Sequence, residues 1–294
     1  MIDLHTHTTH SDGTLRPSEV VGLAKQVGLT AVAITDHDTI DGLDEALAAG
    51  RDLDIEVVPG VEINCEHRRA TLDLLGYFFG ERPGDEFEGK LHELRTYRNE
   101  RNARILERLA ELGYPLDAEE LARVAGGRAV GRPHLAEALR RRGYVETVSE
   151  AFELFLSRGA PAWVDRRRLN LGEAIRLVRK VGGIAAIAHP GIIRTDHPGL
   201  ARLVHTATAC GLGGLECHHP SHDDATVHRC LALALQNGLA PTGGSDFHGD
   251  TKPNIPLGLG AHDQPVDDDI LLALRDAWER QQSEAAPPSS AYGD

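Results

Sequence analysis

At 294 residues with 41% hydrophobic content, the chain is long enough for a complete α/β barrel, or for one large domain with a small one beside it. Its formal charge of −14 argues against a duplex nucleic-acid partner, which needs a broad basic field, but leaves small phosphorylated molecules open. No apolar run reaches the roughly 18 residues of a spanning helix, the start of the chain is polar, and Cys65, Cys210, Cys217 and Cys230 lack disulfide or zinc-knuckle spacing, so a cytoplasmic protein off the membrane is expected.

In chain order, the opening alternates strand and helix signals: strand over 2–4, helix over 17–27, strand over 31–34, helix over 42–49, strand over 55–58 leading into Pro59-Gly60-Val61-Glu62, and strand over 71–79. Each strand delivers polar residues at or just after its carboxyl end, where β/α proteins place their chemistry. The pattern then changes to four helices, over 94–112, 117–124, 133–142 and 148–156. Residues 98–165 are therefore expected to form a small helical insertion capping a catalytic barrel made of 1–97 and 166–280. The alternation resumes with helix 171–181, strand 183–188 ending at His189-Pro190, helix 200–210, strand 214–217, helix 223–237 and a last strand from 240 that ends at Asp246 and His248. Ligand-type residues come from nearly every strand end rather than from one switch point, so about seven strands in an open or distorted barrel are expected over a doubly wound sheet. Residues 281–294 carry no periodic apolar face and read as a flexible tail.

His5 and His7 are two apart, so on an extended strand both can reach one ion. Asp12 follows in a turn closed by Gly13, and Asp36-His37-Asp38 repeats the pattern after the second strand, whereas His10 reads as a loop residue. Glu62, placed at a strand end, is a carboxylate able to bridge two ions. His189 sits at a loop mouth before Pro190, and Asp246 and His248 repeat the two-apart spacing on the last strand, which lies beside the first in a closed barrel. His5, His7, Asp12, His37, Glu62, His189, Asp246 and His248 outnumber the needs of one ion, and either His67 or Asp73 could complete a further position. Such a set binds two or three divalent ions, with manganese, iron and zinc all suited to it. It turns a bound water into hydroxide near neutral pH and clamps the oxygens of a phosphoryl or acyl group. Phosphate-loop, dinucleotide and His-Glu-x-x-His motifs are absent.

A second polar feature is Gly126-Gly127-Arg128-Ala129-Val130-Gly131-Arg132-Pro133-His134, a glycine-rich loop entering a helix. Free backbone N–H groups there favour an anion, with Arg132 and His134 adding donors and Arg128 at the surface. Arg194 and His222 are further candidates for substrate contact. Arg140-Arg141-Arg142 is expected to face water, and Arg166-Arg167-Arg168 is open between surface and site. Cys217, between the candidate ligands Glu216 and His218, reads as a small filler.

These motifs, from His5-Thr6-His7 through Thr35-Asp36-His37-Asp38, Pro59-Gly60-Val61-Glu62 and Ala188-His189-Pro190 to Ser245-Asp246-Phe247-His248-Gly249, resemble the polymerase-and-histidinol-phosphatase (PHP) family of metal-dependent phosphoesterases. The resemblance implies a distorted (β/α)7 barrel, two or three divalent ions with manganese foremost, and hydrolysis of phosphate esters. Gly131-Arg132-Pro133-His134 and His219-Pro220-Ser221-His222 are similar to the branch that includes nucleoside 3',5'-bisphosphate phosphatases and a 5'-to-3' exoribonuclease. That similarity implies removal of a 3'-phosphate from a small bisphosphorylated nucleotide, with the 5'-phosphate held by the insertion and with Glu62, His189 and Asp246 in catalytic roles. Cleavage of short single-stranded 5'-phosphorylated RNA is the alternative. Histidinol phosphate makes poorer use of Arg132 and His134, and a metal-binding regulatory domain without turnover would be expected to lack some of the ligands. Where the family places a histidine before x-x-Gly-Tyr, this chain has Asp73.

Overall fold

The computed structural model describes residues 1–68, 70–80, 82–125 and 130–285. Short aliphatic runs build its sheet. Strands β2 (Ala31–Ile34) and β6 (Ile184–Ile187) are buried at every position, as strands covered by helices on one side and filled by side chains on the other must be. Seven strands follow one another as β1 (Ile2–Asp3), β2, β3 (Glu56–His67), β4 (Ala70–Tyr77), β6, β7 (Gly214–His218) and β8 (Ala240–Gly243). Neighbours are parallel except at β4, which runs antiparallel to both β3 and β6. The two-residue β5 (Leu169–Asn170) lies off this path and pairs with the far end of β3. Helices α1 (Pro17–Val27), α2 (Leu43–Leu53), α7 (Leu171–Lys180), α8 (His197–Ala209) and α9 (Asp224–Asn237) link the strands, and α10 (Asp268–Ala285) closes the chain.

One expectation changes at β3. Glu62 was placed at a strand end, yet β3 continues for twelve residues and pairs Glu62 with Leu75 in mid-strand. The strand passes Pro59 because β2 stops there, and it passes Gly60 because that residue has no Cβ. A Cβ at Gly60 would lie 2.8 Å from Thr35 Cγ2 and 3.1 Å from the Gly76 carbonyl oxygen.

No ladder joins β1 to β8, yet the sheet nearly closes. Leu4 N donates to Gly243 O, Asp246 N to His5 O and His7 N to Phe247 O, at 3.2, 2.9 and 2.9 Å. The Asp3 carboxylate, fully buried, accepts from His5 N, Ser245 N, Ser245 Oγ and Gly258 N. Gly244 permits the approach, since a Cβ there would lie 2.5 Å from His5 N. This clamp brings both ends of the barrel to one place.

The helical insertion forms α3 (Asp85–Glu111), α4 (Ala118–Ala125), α5 (Arg132–Arg141) and α6 (Val148–Ala151). Helix α3 is longer than the apolar pattern implied and runs through residue 98 without a break. Its Phe87, Leu91 and Leu94 pack into the barrel core, while Ile105 and Leu109 belong to a separate core with Leu135, Leu139 and Phe155. Arg140, Arg141 and Arg142 lie on the outside and pair with Glu137 and Glu120. Helix α10 runs past residue 281, where the tail was expected to begin. Gln281 and Gln282 are on α10 and donate to the Gly211 and Gly182 carbonyls.

Candidate active site and metal centre

The residues that follow β1, β2, β6 and β8 meet Glu62 of β3 at one end of the barrel. His5 and His7 project from the extended segment after β1 and are fully buried. Asp36 fixes the turn beyond them by accepting from Thr8 N, Thr8 Oγ1 and Ser11 Oγ. A bulge in β7 between Glu216 and His218 offsets the following turn. Asp38, His189 and Asp246 all adopt positive φ, of 52°, 28° and 56°, a backbone state that side chains favour only where the surroundings impose it.

Glu62 is the hub. Its Oε2 lies 3.0 Å from His37 Nδ1, 3.2 Å from His7 Nε2 and 3.4 Å from His5 Nε2, and its Oε1 lies 3.0 Å from His189 Nε2. Asp246 Oδ1 stands 3.3 Å from His7 Nε2, and Asp12 Oδ1 stands 3.2 Å from His248 Nε2. Among the described residues, donor atoms lie within 4.8 Å of one another in four groups: His7, Asp12, His37 and His248; His5, Glu62 and His189; His5, His7 and Asp246; and His37, Glu62 and Asp73. They share members, and they open on a cavity of about 310 Å³ whose rim carries Ile192 and Lys252.

So many buried carboxylates would be costly without positive partners. Burial alone would raise Glu62 and Asp246, but His37 and His5 hold Glu62, and His5 and His219 hold Asp246, well below the carboxylate range. Burial alone would likewise lower His7 and His189, yet their carboxylate neighbours lift His7 to about 10 and His189 to about 9. His5 Nε2, His7 Nε2 and His37 Nδ1 are buried without a hydrogen-bond partner. Orphaned ring nitrogens facing carboxylate oxygens, with no thiolate among them, fit a cluster of divalent ions.

Outside the donor groups, Glu216 takes His5 Nδ1–H at 3.0 Å and His189 N–H at 2.5 Å. It thereby fixes the His5 tautomer with Nε2 toward the cluster. His219 Nε2 faces Asp246 Oδ2 at 3.5 Å. His222, expected to meet substrate, is instead buried with both ring nitrogens committed, Nδ1 to Cys217 O and Nε2 to Gly191 N. Its neighbour in the same turn, His219, takes the inward position. His67 is outside the donor groups: Glu62 and Asn64 share one face of β3, and His67 lies on the other, at the hairpin tip. Asp73 is the alternative that the fold brings in, opposite Asn64 and bonded to its Nδ2 at 2.6 Å. Arg194 is exposed and lines a different cavity, shared with His67.

On the insertion side, residues 126–129 of the glycine-rich loop, Arg128 included, lie outside the described residues. Arg132 opens α5, and His134 Nδ1 accepts from Gly131 N at 3.1 Å. Sequence reasoning missed Arg98 and Arg101. Both are buried on the inner face of α3, in register with Leu94 and Ile105. Arg98 is paired with Asp38, while Arg101 Nε is buried with no partner among the described residues. Burial, then Arg166, Arg132, Arg168 and Arg98, bring the Arg101 guanidinium down to about 9. Arg166 and Arg168 both donate to Asn64 Oδ1, which ties this group of arginines to the Asp73 side of the site.

The fold and the site together define a metal-dependent hydrolase of phosphate esters with a multi-ion centre. The chain belongs to the PHP domain family, which matches residues 3–152. It is 30% identical to a 3',5'-nucleoside bisphosphate phosphatase of Chromobacterium violaceum over 98% of this chain and 99% of that one. It is 31% identical to a 5'-3' exoribonuclease of Haemophilus influenzae (84% and 89%), and 34% identical to a phosphoribosyl 1,2-cyclic phosphate 1,2-diphosphodiesterase of Eggerthella lenta (84% and 94%). A solved amidohydrolase structure from Chromobacterium violaceum, with bound sulfate and no metal, superposes with a TM-score of 0.79 at 30% identity, covering 94% of this chain and 96% of that one. Among the described residues no helix is long and apolar enough to cross a membrane.

Proposed function

We propose that the protein removes the 3'-phosphate of nucleoside 3',5'-bisphosphates, leaving the 5'-monophosphate and inorganic phosphate. The observation that carries this reading is the buried Arg101, its Nε without a partner among the described residues, set among Arg132, Arg166 and Arg168 as a second positive pole beside the donor cluster. An unpaired buried guanidinium is costly, and a phosphate supplies the partner it lacks. A substrate with two phosphates fills both poles, and the bisphosphate phosphatase among the relatives has such a substrate in its name.

His5, His7, Asp12, His37, Glu62, Asp73, His189, Asp246 and His248 would hold two or three divalent ions, with manganese foremost and iron or zinc as alternatives. When bound, such ions supply an activated water and neutralise the phosphoryl oxygens. Glu62 joins the donor groups, since its two oxygens face different histidines. Glu216 orients the His5 ring and the His189 backbone, and Arg101 and Arg132 anchor the 5'-phosphate. His189 Nε2 either completes a ligand set or holds the proton that the departing 3'-oxygen takes up. No Ser or Cys nucleophile is required. Ser245 Oγ is bonded to Asp3 and points away from the reaction.

The test is product analysis with manganese-loaded protein, given adenosine 3',5'-bisphosphate and a 5'-phosphorylated trinucleotide side by side. The expected products of the bisphosphate are adenosine 5'-monophosphate and phosphate. Release of the 5'-phosphate instead, or faster turnover of the trinucleotide, would overturn the assignment.

A further inference from the structure

The turn that carries His37 is held from two sides. On the barrel side, Asp38 N donates to Glu62 O at 2.8 Å and Asp38 Oδ1 accepts from Asn64 N at 3.2 Å, so β3 already places it. On the insertion side, α3 reaches it with two arginines: Arg95 Nη1 donates to the Asp38 carbonyl at 2.7 Å, and Arg98 pairs with the Asp38 carboxylate. Asp38 is buried and belongs to none of the donor groups. A buried ion pair adds little net stability over an apolar replacement, because desolvation offsets the attraction, and what it can supply instead is register.

The next turn of the same helix carries the second pole. Arg101 follows Arg98 by three residues, about 4.5 Å along the axis, and Asn102 by four, about 6 Å. Both are buried, and Asn102 Nδ2 donates to Val130 O at 2.8 Å, two residues ahead of Arg132 at the entry to α5. One unbroken stretch of α3 thus grips the His37–Asp38 turn through Arg98 and the arginine pole through Arg101 and Asn102.

We infer that Arg98 is a positioning residue: it sets the distance between the donor cluster and the arginine pole, and with it the preference for a substrate that carries two phosphates. The inference rests on the two-pole reading above and deepens it. A substrate held at both poles is sensitive to their separation, because one phosphate must reach the donor cluster while the other sits at Arg101 and Arg132. A substrate with a single 3'-phosphate meets the donor cluster alone and is indifferent to where the arginine pole stands. Arg98 acts through Asp38 and the helix rather than by touching substrate, since its Nη2 is committed to the Asp38 carboxylate.

The experiment compares wild type, Asp38→Asn/Arg98→Met, which removes both charges together, and Arg98→Lys, which can still pair with Asp38. With manganese bound, specificity constants are measured for adenosine 3',5'-bisphosphate and adenosine 3'-monophosphate, and calorimetric affinities for the slowly hydrolysed 3'-phosphorothioate form of each. The double variant is expected to lower the bisphosphate-to-monophosphate ratio about tenfold in both measurements, while Arg98→Lys stays within about threefold of wild type. Manganese affinity should change by less than about twofold, because the His37 turn keeps its two bonds to β3. Arg98→Gln, which keeps a donor for Asp38 but has a shorter reach, serves the same comparison if the double variant does not fold. An unchanged ratio would overturn the assignment of Arg98, and so would an equal fall for both substrates, which is what a loosened His37 turn alone produces. If wild type fails to turn over the bisphosphate, the proposed function falls, while the affinities still decide whether Arg98 sets the spacing at which two phosphates are held.

Discussion

Replacing Glu216 by glutamine would test how the site is held together. The carboxylate is fully buried and spends one oxygen on His5 Nδ1–H, at 3.0 Å, and the other on the His189 amide, at 2.5 Å. Burial would raise its pKa, but the charge and hydrogen bond of His5 bring it down to about 2, so it is ionised in the folded protein. Glutamine keeps the volume and offers only one acceptor, which leaves an NH2 group facing a donor. One charge-assisted hydrogen bond is lost, about 1.5–3 kcal/mol, and the His5 ring is released to rotate or to change tautomer. Losing a carboxylate behind a metal-binding histidine typically weakens ion affinity about tenfold to a hundredfold. We expect that range in a competition titration of manganese against a fluorescent chelator, with the fold intact by circular dichroism. A folded Glu216→Gln protein with wild-type ion affinity would refute the reasoning.

Arg101→Met should raise KM for the bisphosphate about tenfold or more while raising the melting temperature, because an unpaired buried guanidinium gives way to a packed thioether; calorimetry showing a lower Tm would contradict this. Folded-state pKa values of about 10 for His7 and about 9 for His189, against 6.5 for the free side chain, mean that the folded, ion-free protein binds these protons more tightly than the unfolded chain. Their stabilisation is therefore complete below pH 6.5 and lost as pH rises through 9 to 10, whereas ion affinity should climb over the same window as ligation displaces protons. Melting curves of chelator-treated protein and ion titrations across that range check both signs. Asp3→Asn should cost about 3–5 kcal/mol in urea unfolding, because an amide cannot accept from four donors; a loss under about 1 kcal/mol would show that the clamp is unimportant.

The donor cluster was legible wherever ligands follow the two-residue period of a strand. His5 with His7, and Asp246 with His248, announce themselves by spacing, and their meeting follows from barrel closure. What was hidden depends on partners distant in sequence. Glu62 reads as a strand end because Pro59-Gly60 resembles a turn, and only the pairing with β4 carries the strand on. Glu216 reads as a candidate ligand, but its place behind His5 and the His189 amide, outside the donor groups, depends on partners distant in sequence. His219 and His222 occupy the same turn, so spacing could not say which faces inward. Arg98 and Arg101 left a usable trace, since they stand where the helical period of Leu94 and Ile105 calls for apolar residues, and a charged group there requires a partner.

Barrel closure also orders events during synthesis. Of the four donor groups, only His37, Glu62 and Asp73 come entirely from the early part of the chain; the others wait for His189, Asp246 or His248. The Asp3 clamp likewise needs Ser245 and Gly258. A chain that stops before β6 therefore keeps, among the described residues, two triads that share His37, namely His7 with Asp12 and His37, and His37 with Glu62 and Asp73, so the full centre requires the last strands to be in place.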